Sequence, residues 1–355
     1  MLPLDIFEHS GSYHNITHQR EDNNMKSLKK RLLYGTILIG LAIACLAIAL
    51  IANRAETNRT VSHDGYIKWV DFDVTATAMN DALKVDLDTY GSECHINWID
   101  ALSYLGAKYG GNFKGYKKSD LTRFCDRLQG GEPIESIIDN MKFFSYYREA
   151  YGAVLAEYVG EFYRDGQFCY GLRAFSPIAN GYYYEHYDDF GASRSYGYAR
   201  EHLGHDLMGS IGTPIIAIES GYVEAIGWNQ YGGWRVGIRS FDNQRYYYYA
   251  HLRKDHPYAP DLSEGDIVTA GDVIGYLGMT GYSAKENVNN INVPHLHFGI
   301  QLIFDASQKD GSNQIWIDCY ELTKFLYQNR MTTVKTEDTK DRRPANHIVI
   351  IDIPD

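Results

Sequence analysis

VPHLHFGI, residues 293–300, is the stretch that decides the fold of this chain. Side chains alternate between the two faces of a β-strand, so Leu296, Phe298 and Ile300 would point one way and His295 and His297 the other. The apolar set would then pack on a core, while two titratable imidazoles stand side by side on the polar face. Such a pair is either an incidental feature of a polar face or part of a metal site, and the rest of the chain has to decide.

The sequence around this stretch, from about residue 177 onward, has a pattern typical of β-strands. Glycines recur every few residues, and short runs such as GGWRVGIRSF (232–241) and RYYYYAHL (245–252) have the length and composition of strands bounded by turns. We therefore expect an all-β domain over residues 177–330, of the barrel-sandwich hybrid type. The tail 331–355 is charged, and only its segment HIVIIDI is expected to add an edge strand.

The preceding region, residues 66–176, has a mainly helical pattern. NWIDALSYLGAKYGG (97–111) ends on a glycine pair, as a helix commonly does. SDLTRFCDRL (119–128) carries apolar residues at helical spacing behind Ser119, which we expect to be the N-cap. No catalytic constellation is apparent in this region, and its role is left open.

An uncharged run, LLYGTILIGLAIACLAIALIAN, occupies residues 32–53. About 20 apolar residues cross a bilayer as a helix, so this segment predicts an uncleaved transmembrane helix. Lys26, Lys29, Lys30 and Arg31 precede it, which places the tail 1–31 in the cytoplasm. The linker 54–65 and everything after it would then lie outside, giving a single-pass protein of the cell membrane.

The composition of the 355 residues limits the classes of partner. A formal net charge of −11 argues against nucleic acid, which needs a basic patch. The 30 tyrosines suit either a surface that binds sugars or peptides or simply a tyrosine-rich sheet. The five cysteines are widely spaced and form no zinc-ribbon pattern. Cys45 lies in an apolar run, and whether any of the other four form a disulfide is left open.

Two further segments carry residues of the metal-ligand type. In REHLGHDLMG (200–209), His202 and Asp206 are separated by four positions, and an imidazole with a carboxylate suits zinc. Together with one histidine of the 295/297 pair they would make a three-ligand site with an open position, the arrangement of catalytic rather than structural zinc. His251, at the end of the tyrosine-rich strand, adds another imidazole.

The region from about Asn180 to Leu302 resembles the lysostaphin-type or LytM-type zinc metallopeptidases, which cut peptide bonds in bacterial peptidoglycan. The segments that carry this resemblance are FGASR, the His202/Asp206 pair, GTPIIAIESGYV, YGGWRVGI, YAHL, GDIVTAGDVIGYLGMTG and HLHFGIQL. The helical region resembles the segment that precedes this domain in membrane-anchored clostridial-type members.

The resemblance implies one zinc ion per chain with His202, Asp206 and His297 as its ligands. It also implies that His251 and His295 flank the water that attacks the peptide bond, which makes them the catalytic residues. Acid–base transfer would fall to histidine, because the chain has no glutamate in a helical H-E-x-x-H motif.

Two departures from the family pattern limit what the resemblance implies. Residues 284–294 are longer than the usual turn and are expected to form a loop beside the cleft, so the preferred bond cannot be taken over from relatives. His205 stands where the family often has an apolar residue, and of the two roles considered, outer-shell partner or pocket wall, the sequence favours the wall.

The leading hypothesis is therefore a membrane-anchored zinc metalloendopeptidase acting on peptidoglycan peptides. The alternative is a non-catalytic relative that acts as a scaffold or activator of other cell-wall hydrolases. The enzyme is favoured because all three proposed zinc ligands and both proposed catalytic histidines are present. A carrier-type β-domain is suggested only by the turn pattern GDIVTAGDVIG, and it lacks the carrier lysine at a hairpin tip.

Overall fold

The computed structural model describes residues 66–195, 199–311 and 313–351. The predicted cytoplasmic tail, the transmembrane segment 32–53 and the linker all lie outside these residues. Within the described ranges, no helix combines the length and apolar character needed to span a membrane. The chain from Tyr66 onward forms one compact unit.

Five of the six described α-helices come before the β-rich part. They are α1 Ala76–Thr89, α2 Trp98–Tyr109, α3 Lys118–Gln129, α4 Ile134–Ile138, α5 Phe144–Leu155 and α6 Tyr320–Leu326.

The strands lie almost entirely in the second half of the chain. They are β1 Val159–Arg164, β2 Gln167–Leu172, β3 Tyr184–His186, β4 Ser193–Arg194, β5 Arg200–Glu201, β6 His205–Gly209, β7 Pro214–Ile216, β8 Gly221–Asn229, β9 Gly233–Ser240, β10 Arg245–Ala250, β11 Ile267–Val268, β12 Val273–Tyr276, β13 His295–Leu302, β14 Ile315–Ile317, β15 Thr333–Lys335, β16 Arg342–Pro344 and β17 Ile348–Ile350.

The ends of the helices follow local sequence signals. The side chain of Asn97 accepts a hydrogen bond from the backbone N–H of Ile99 and caps α2, which ends at Gly110 in the left-handed conformation with φ 63°. The predicted cap Ser119 is wrong, because α3 already begins at Lys118 and its N-cap residue, Lys117, makes no side-chain capping bond.

The large antiparallel sheet provides the platform for the site. Its strands follow the order β11-β8-β9-β10-β13-β6-β3, and β14 pairs with the distal half of β13. The apolar residues Leu296, Phe298 and Ile300 of β13 are fully buried, as the alternation in the sequence predicted. The expected β-rich region after a helical region is thus confirmed, while its finer description as a barrel-sandwich hybrid stays a prediction.

The C-terminal segment is more ordered than a charged tail suggested. β17 pairs with β1 at the edge of a three-stranded sheet β17-β1-β2, which confirms the predicted edge strand in HIVIIDI. β15 and β16 form a separate two-stranded pair. The helical region also contains two strands, β1 and β2, and the domain boundaries at 176/177 and 330/331 stay predictions.

Candidate active site

The H-x-H pair of β13 faces a cleft on the polar side of the large sheet. His295 and His297 both line this cleft, which has a volume of about 960 Å³. Strand alternation places both imidazoles on the same face, opposite to the core residues Leu296 and Phe298. The predicted orientation of this strand is therefore confirmed.

His202 and Asp206 reach the same place through β6, which runs antiparallel to β13. The strand register sets Asp206 directly opposite His297. His202 Nε2 lies 2.8 Å from His297 Nδ1 and 3.1 Å from Asp206 Oδ1. His297 Nδ1 lies 3.1 Å from the same carboxylate oxygen. The structure thus brings together the three residues that the sequence proposed as metal ligands.

These three donor atoms suit a zinc ion. Two imidazole nitrogens and a carboxylate oxygen are typical zinc ligands, and tetrahedral ligands at 2.0–2.1 Å from the ion are about 3.3 Å apart. The observed separations of 2.8–3.1 Å are close to this value. Although burial alone would raise the pKa of Asp206, its hydrogen bonds with His202 and His297 hold that pKa well below the usual range. The carboxylate is therefore ionised and able to bind a cation.

Gly204 lets the His202 loop approach β13 closely. A Cβ atom at this position would lie 2.6 Å from Cε1 of His297 and 2.8 Å from the carbonyl oxygen of Phe298. Real Cβ atoms essentially never come so close to other heavy atoms. The glycine between His202 and Asp206 is therefore required for the approach of the two segments.

His251 follows directly after β10 in a strained backbone conformation. Its φ of 61° lies in the left-handed region, which is costly for a residue with a Cβ atom. Two hydrogen bonds hold it: the backbone N–H donates to the carbonyl of Gly232 at 2.7 Å, and ring Nδ1 lies 2.8 Å from the carbonyl of Thr280. Burial holds the pKa of His251 well below its ordinary value, so the ring is neutral.

His295 is held in the same way as His251. Its Nδ1 lies 2.8 Å from the carbonyl oxygen of Val293. A carbonyl can only accept a hydrogen bond, so Nδ1 of each ring carries the proton and Nε2 of a neutral ring carries the lone pair. The two rings lie edge to face with centroids 4.8 Å apart, and both line the cleft.

Asp189 and Arg194 support the ligand set and were not predicted from the sequence. Nδ1 of His202 lies 3.1 Å from the backbone oxygen of Asp189 and 3.2 Å from its carboxylate. Arg194 donates to the carboxylates of Asp189 at 2.7 Å and Asp206 at 3.2 Å. Burial alone would lower the pKa of His202, but hydrogen bonds with Asp189 and Asp206 raise it to about 9.

His205 does not form a wall of the cleft, so the role that the sequence favoured is wrong. Side chains alternate along β6, and because Asp206 faces the cleft, the neighbouring His205 must face away. His205 is buried on the other side, where its Nε2 lies 3.2 Å from Nδ1 of His186. Its Nδ1 lies 3.9 Å from Asp189, so it is close to the residue that supports His202.

The remaining walls of the cleft are aromatic and partly built by the predicted insertion. Residues 290–293 line the cleft, which confirms that the long segment 284–294 lies beside it. In the tyrosine-rich strand β10, Tyr246 and Tyr248 line the cleft, whereas Tyr247 and Tyr249 are fully buried in the core. The tyrosines of this strand thus line the cleft on one face and form part of the core on the other.

Comparison with known proteins identifies the part of the chain that carries this site. Residues 200–313 match the model of peptidase family M23. This segment belongs to peptidase family M23. All five predicted site residues lie within the M23 segment, whereas Asp189 and Arg194 precede it.

Two relatives match by sequence over parts of their length. An L-Ala–D-Glu endopeptidase of Bacillus subtilis strain 168 is 36% identical over 166 residues, which is 46% of this chain and 49% of the relative. Lysostaphin of Staphylococcus staphylolyticus is 40% identical over 98 residues, which is 27% of this chain and 18% of lysostaphin. The chain thus spans about half the length of the first relative and a smaller part of the second.

Among the solved structures that are similar to this chain is one whose likeness covers most of it. It is a Ruminococcus gnavus protein that carries the name of the glycyl-glycine endopeptidase LytM, and it is 22% identical with a TM-score of 0.51. The likeness covers 78% of this chain and 96% of that one, so the shared fold extends beyond the M23 segment.

Proposed function

We propose that this chain is a zinc-dependent endopeptidase that hydrolyses peptide bonds in peptidoglycan. The observation that carries the proposal is the meeting of His202, Asp206 and His297 at the bottom of a peptide-sized cleft, with two further imidazoles beside them. Membership of the 200–313 segment in peptidase family M23 supports the same activity.

His202 Nε2, Asp206 Oδ1 and His297 Nδ1 are the atoms that would hold the zinc ion. Bound zinc supplies Lewis-acid activation of water and of the scissile carbonyl. The side chain of Asp189 orients the ring of His202 by accepting from Nδ1, which presents Nε2 to the metal. Arg194 holds Asp189 and Asp206 in place at the same time.

His251 and His295 would move the protons of the reaction. Each ring donates from Nδ1 to a backbone carbonyl, so its Nε2 carries the lone pair that accepts a proton. In His295 this nitrogen lies 3.6 Å from Asp206 Oδ1, at the edge of the donor set. A neutral imidazole can take a proton from the attacking water, and the resulting imidazolium can return it to the leaving amine. The two hydrogen bonds that hold His251 in its strained backbone conformation also fix the position of its ring.

Peptidoglycan as the substrate is supported by the family resemblance and by the aromatic side chains that line the cleft. An aromatic floor containing Tyr246, Tyr248 and Trp316 offers flat apolar surface with polar edges to a peptide. The two sequence relatives and the structural relative carry names that refer to different bonds or to none. We therefore propose peptidoglycan peptides as the substrate class.

The proposed location is the outer face of the cytoplasmic membrane. It is supported by the uncharged run at residues 32–53 and by the four basic residues just before it. A tether of this kind would hold the cleft close to the cell wall.

Cleavage of purified peptidoglycan by the zinc-loaded full-length chain tests the activity. His251→Ala and His295→Ala should each lower the rate by about 10²-fold or more, because a positioned acid–base group typically contributes about 10²–10⁴-fold. His347→Ala, at an exposed position away from the cleft, serves as the matched control and should cleave like the wild type. A wild type that cleaves no cross-link chemistry, or two variants as active as the wild type, would favour the scaffold alternative.

A further inference from the structure

The charged side chains that line the cleft nearly balance, although the chain as a whole is acidic. Five basic and four acidic side chains are among the described residues that line it, whereas the chain carries a formal net charge of −11. Most of these basic side chains have a clear role within the protein. Arg194 pairs with Asp189 and Asp206, Arg200 stacks on Tyr231 and Tyr282, and Arg239 and Lys309 both pair with Glu224.

Arg235 of β9 is different. Its side chain lines the cleft but makes no hydrogen bond or ion pair to any residue that the structure describes. Its neighbours along β9 and directly across from it on the same face of the sheet are small residues that offer no side-chain acceptor. Gly233 and Gly237 flank it along β9, and Gly227 lies opposite on β8. Continuing the register of Tyr249 with Val236 places Ala250 opposite on β10.

A second polar group without a partner lies beside Arg235. The ring of Tyr246 lies over Gly237, with its hydroxyl 1.9 Å from the place where a Cβ atom of that glycine would be. In the described part of the chain this hydroxyl makes no hydrogen bond. Burial raises the pKa of Tyr246 to about 12, and the nearby charge of Arg235 acts in the opposite direction. A guanidinium and a phenol hydroxyl thus stand next to each other on the cleft floor.

The strand register fixes the position of Arg235 relative to the zinc ligands. Ala250 lies opposite His297 on one side, and in continued register opposite Arg235 on the other. The backbones of Arg235 and His297 are therefore two strand spacings apart, which is about 10 Å. An extended peptide covers this distance with about three residues, at roughly 3.3 Å per residue.

We propose that Arg235 and Tyr246 form a subsite that binds a free carboxylate of the substrate. A guanidinium recognises a carboxylate through charge-assisted hydrogen bonds, and the tyrosine hydroxyl can donate another. The preferred substrate is then a peptide that carries an uncapped carboxylate within about three residues of the scissile bond. This inference rests on the proposed endopeptidase function and specifies its substrate.

Two synthetic stem peptides that differ at a single group test the subsite. In one peptide a glutamyl carboxylate is free, and in the other it is a carboxamide. The full-length chain in detergent should bind the carboxylate peptide about tenfold more tightly, since a hydrogen bond to a charged group typically has this effect. Fluorescence anisotropy of labelled peptides, with metal-free protein, measures this ratio without any cleavage. With the zinc-loaded protein, kcat/KM for the two peptides should show the same preference.

Variants assign the preference to the proposed residues. Arg235→Gln should bring the carboxylate-to-carboxamide ratio to about one, and Tyr246→Phe should lower it. Arg343→Gln removes the same charge at an exposed position outside the cleft and should leave the ratio at its wild-type value.

The two readouts separate failure of the subsite from failure of the proposed function. Equal binding and equal cleavage of both peptides, or a preference that survives Arg235→Gln, would overturn the subsite and leave the activity standing. A preference in binding that depends on Arg235, in a protein that cleaves nothing, would keep the subsite and overturn the activity.

Discussion

Gly204 shows how a single atom limits the geometry of the site. The His202 loop crosses so close to β13 that a Cβ atom at position 204 would overlap the ring of His297 and the backbone of Phe298. Backbone cannot move aside cheaply in a packed interior, so the imidazole would have to shift. Because His297 Nδ1 is one of three donor atoms, its displacement should weaken metal binding directly.

Gly204→Ala should therefore lower the affinity for zinc by at least about tenfold, in the range seen when a group that orients a metal ligand is lost. Competition with a chromogenic chelator measures this affinity. Gly152→Ala is the matched control, since nothing lies within 4 Å of a Cβ atom there and alanine favours the helix α5. Wild-type affinity in Gly204→Ala would contradict the close packing of this loop.

Sequence reasoning reached some site residues and missed others for a physical reason. His202, Asp206, His251, His295 and His297 could be proposed because metal-ligand chemistry and family motifs mark them. Asp189 could not be proposed, because it contacts His202 only in the folded chain and no spacing pattern in the sequence indicates this contact. His205 could have been placed correctly, since strand alternation next to Asp206 already points it away from the cleft.

The alternation of side chains along a strand also makes individual strands predictable from the sequence. In β17 the side chains of Ile348 and Ile350 are buried against a small core with Phe162 and Phe175, while Val349 between them is 41% exposed. The apolar and β-branched composition of HIVIIDI was enough to predict this edge strand. The start of α3 was mispredicted because Ser119 is a good cap by type, yet the observed N-cap is Lys117, two residues earlier, and it makes no side-chain capping bond.

Ile348→Ala should lower the free energy of unfolding by about 2 kcal/mol, because it removes buried methyl groups and leaves a cavity. Val349→Ala on the same strand should change it by less than about 0.5 kcal/mol, as is usual for exposed side chains. Urea unfolding followed by tryptophan fluorescence measures both. Equal losses in the two variants would mean that β17 does not pack as described.

At the scale of the molecule, Arg245 joins the helical region to the large sheet. Its fully buried guanidinium donates to the carbonyl of Ala153 in α5 at 2.6 Å and to both carboxylate oxygens of Glu219 at 2.8 and 3.0 Å. Loss of the Glu219 carboxylate would leave the buried guanidinium paired only with the more exposed carboxylate of Asp242, which makes this connection costly to break. The contact joins residues 92 positions apart, so no local pattern in the sequence could predict it.

Membrane topology is the prediction that concerns the whole chain. Protease added to intact, wall-stripped cells should remove everything after about Arg54 and spare the N-terminal tail, because the basic residues before the apolar run keep that tail in the cytoplasm. Antibodies against the two ends of the chain follow the result, and a cytoplasmic protein serves as the control for cell integrity. Protection of the β-rich region would reverse the proposed orientation.

The zinc content of five single variants tests the central claim most directly. The full-length wild type should purify with close to one zinc per chain, and His202→Ala, Asp206→Ala and His297→Ala should each lose it, because two remaining protein ligands bind zinc weakly. His251→Ala and His295→Ala should keep it, since these rings lie beside the donor set. Full zinc occupancy in the first three variants, measured by elemental analysis, would contradict the assignment of the metal site.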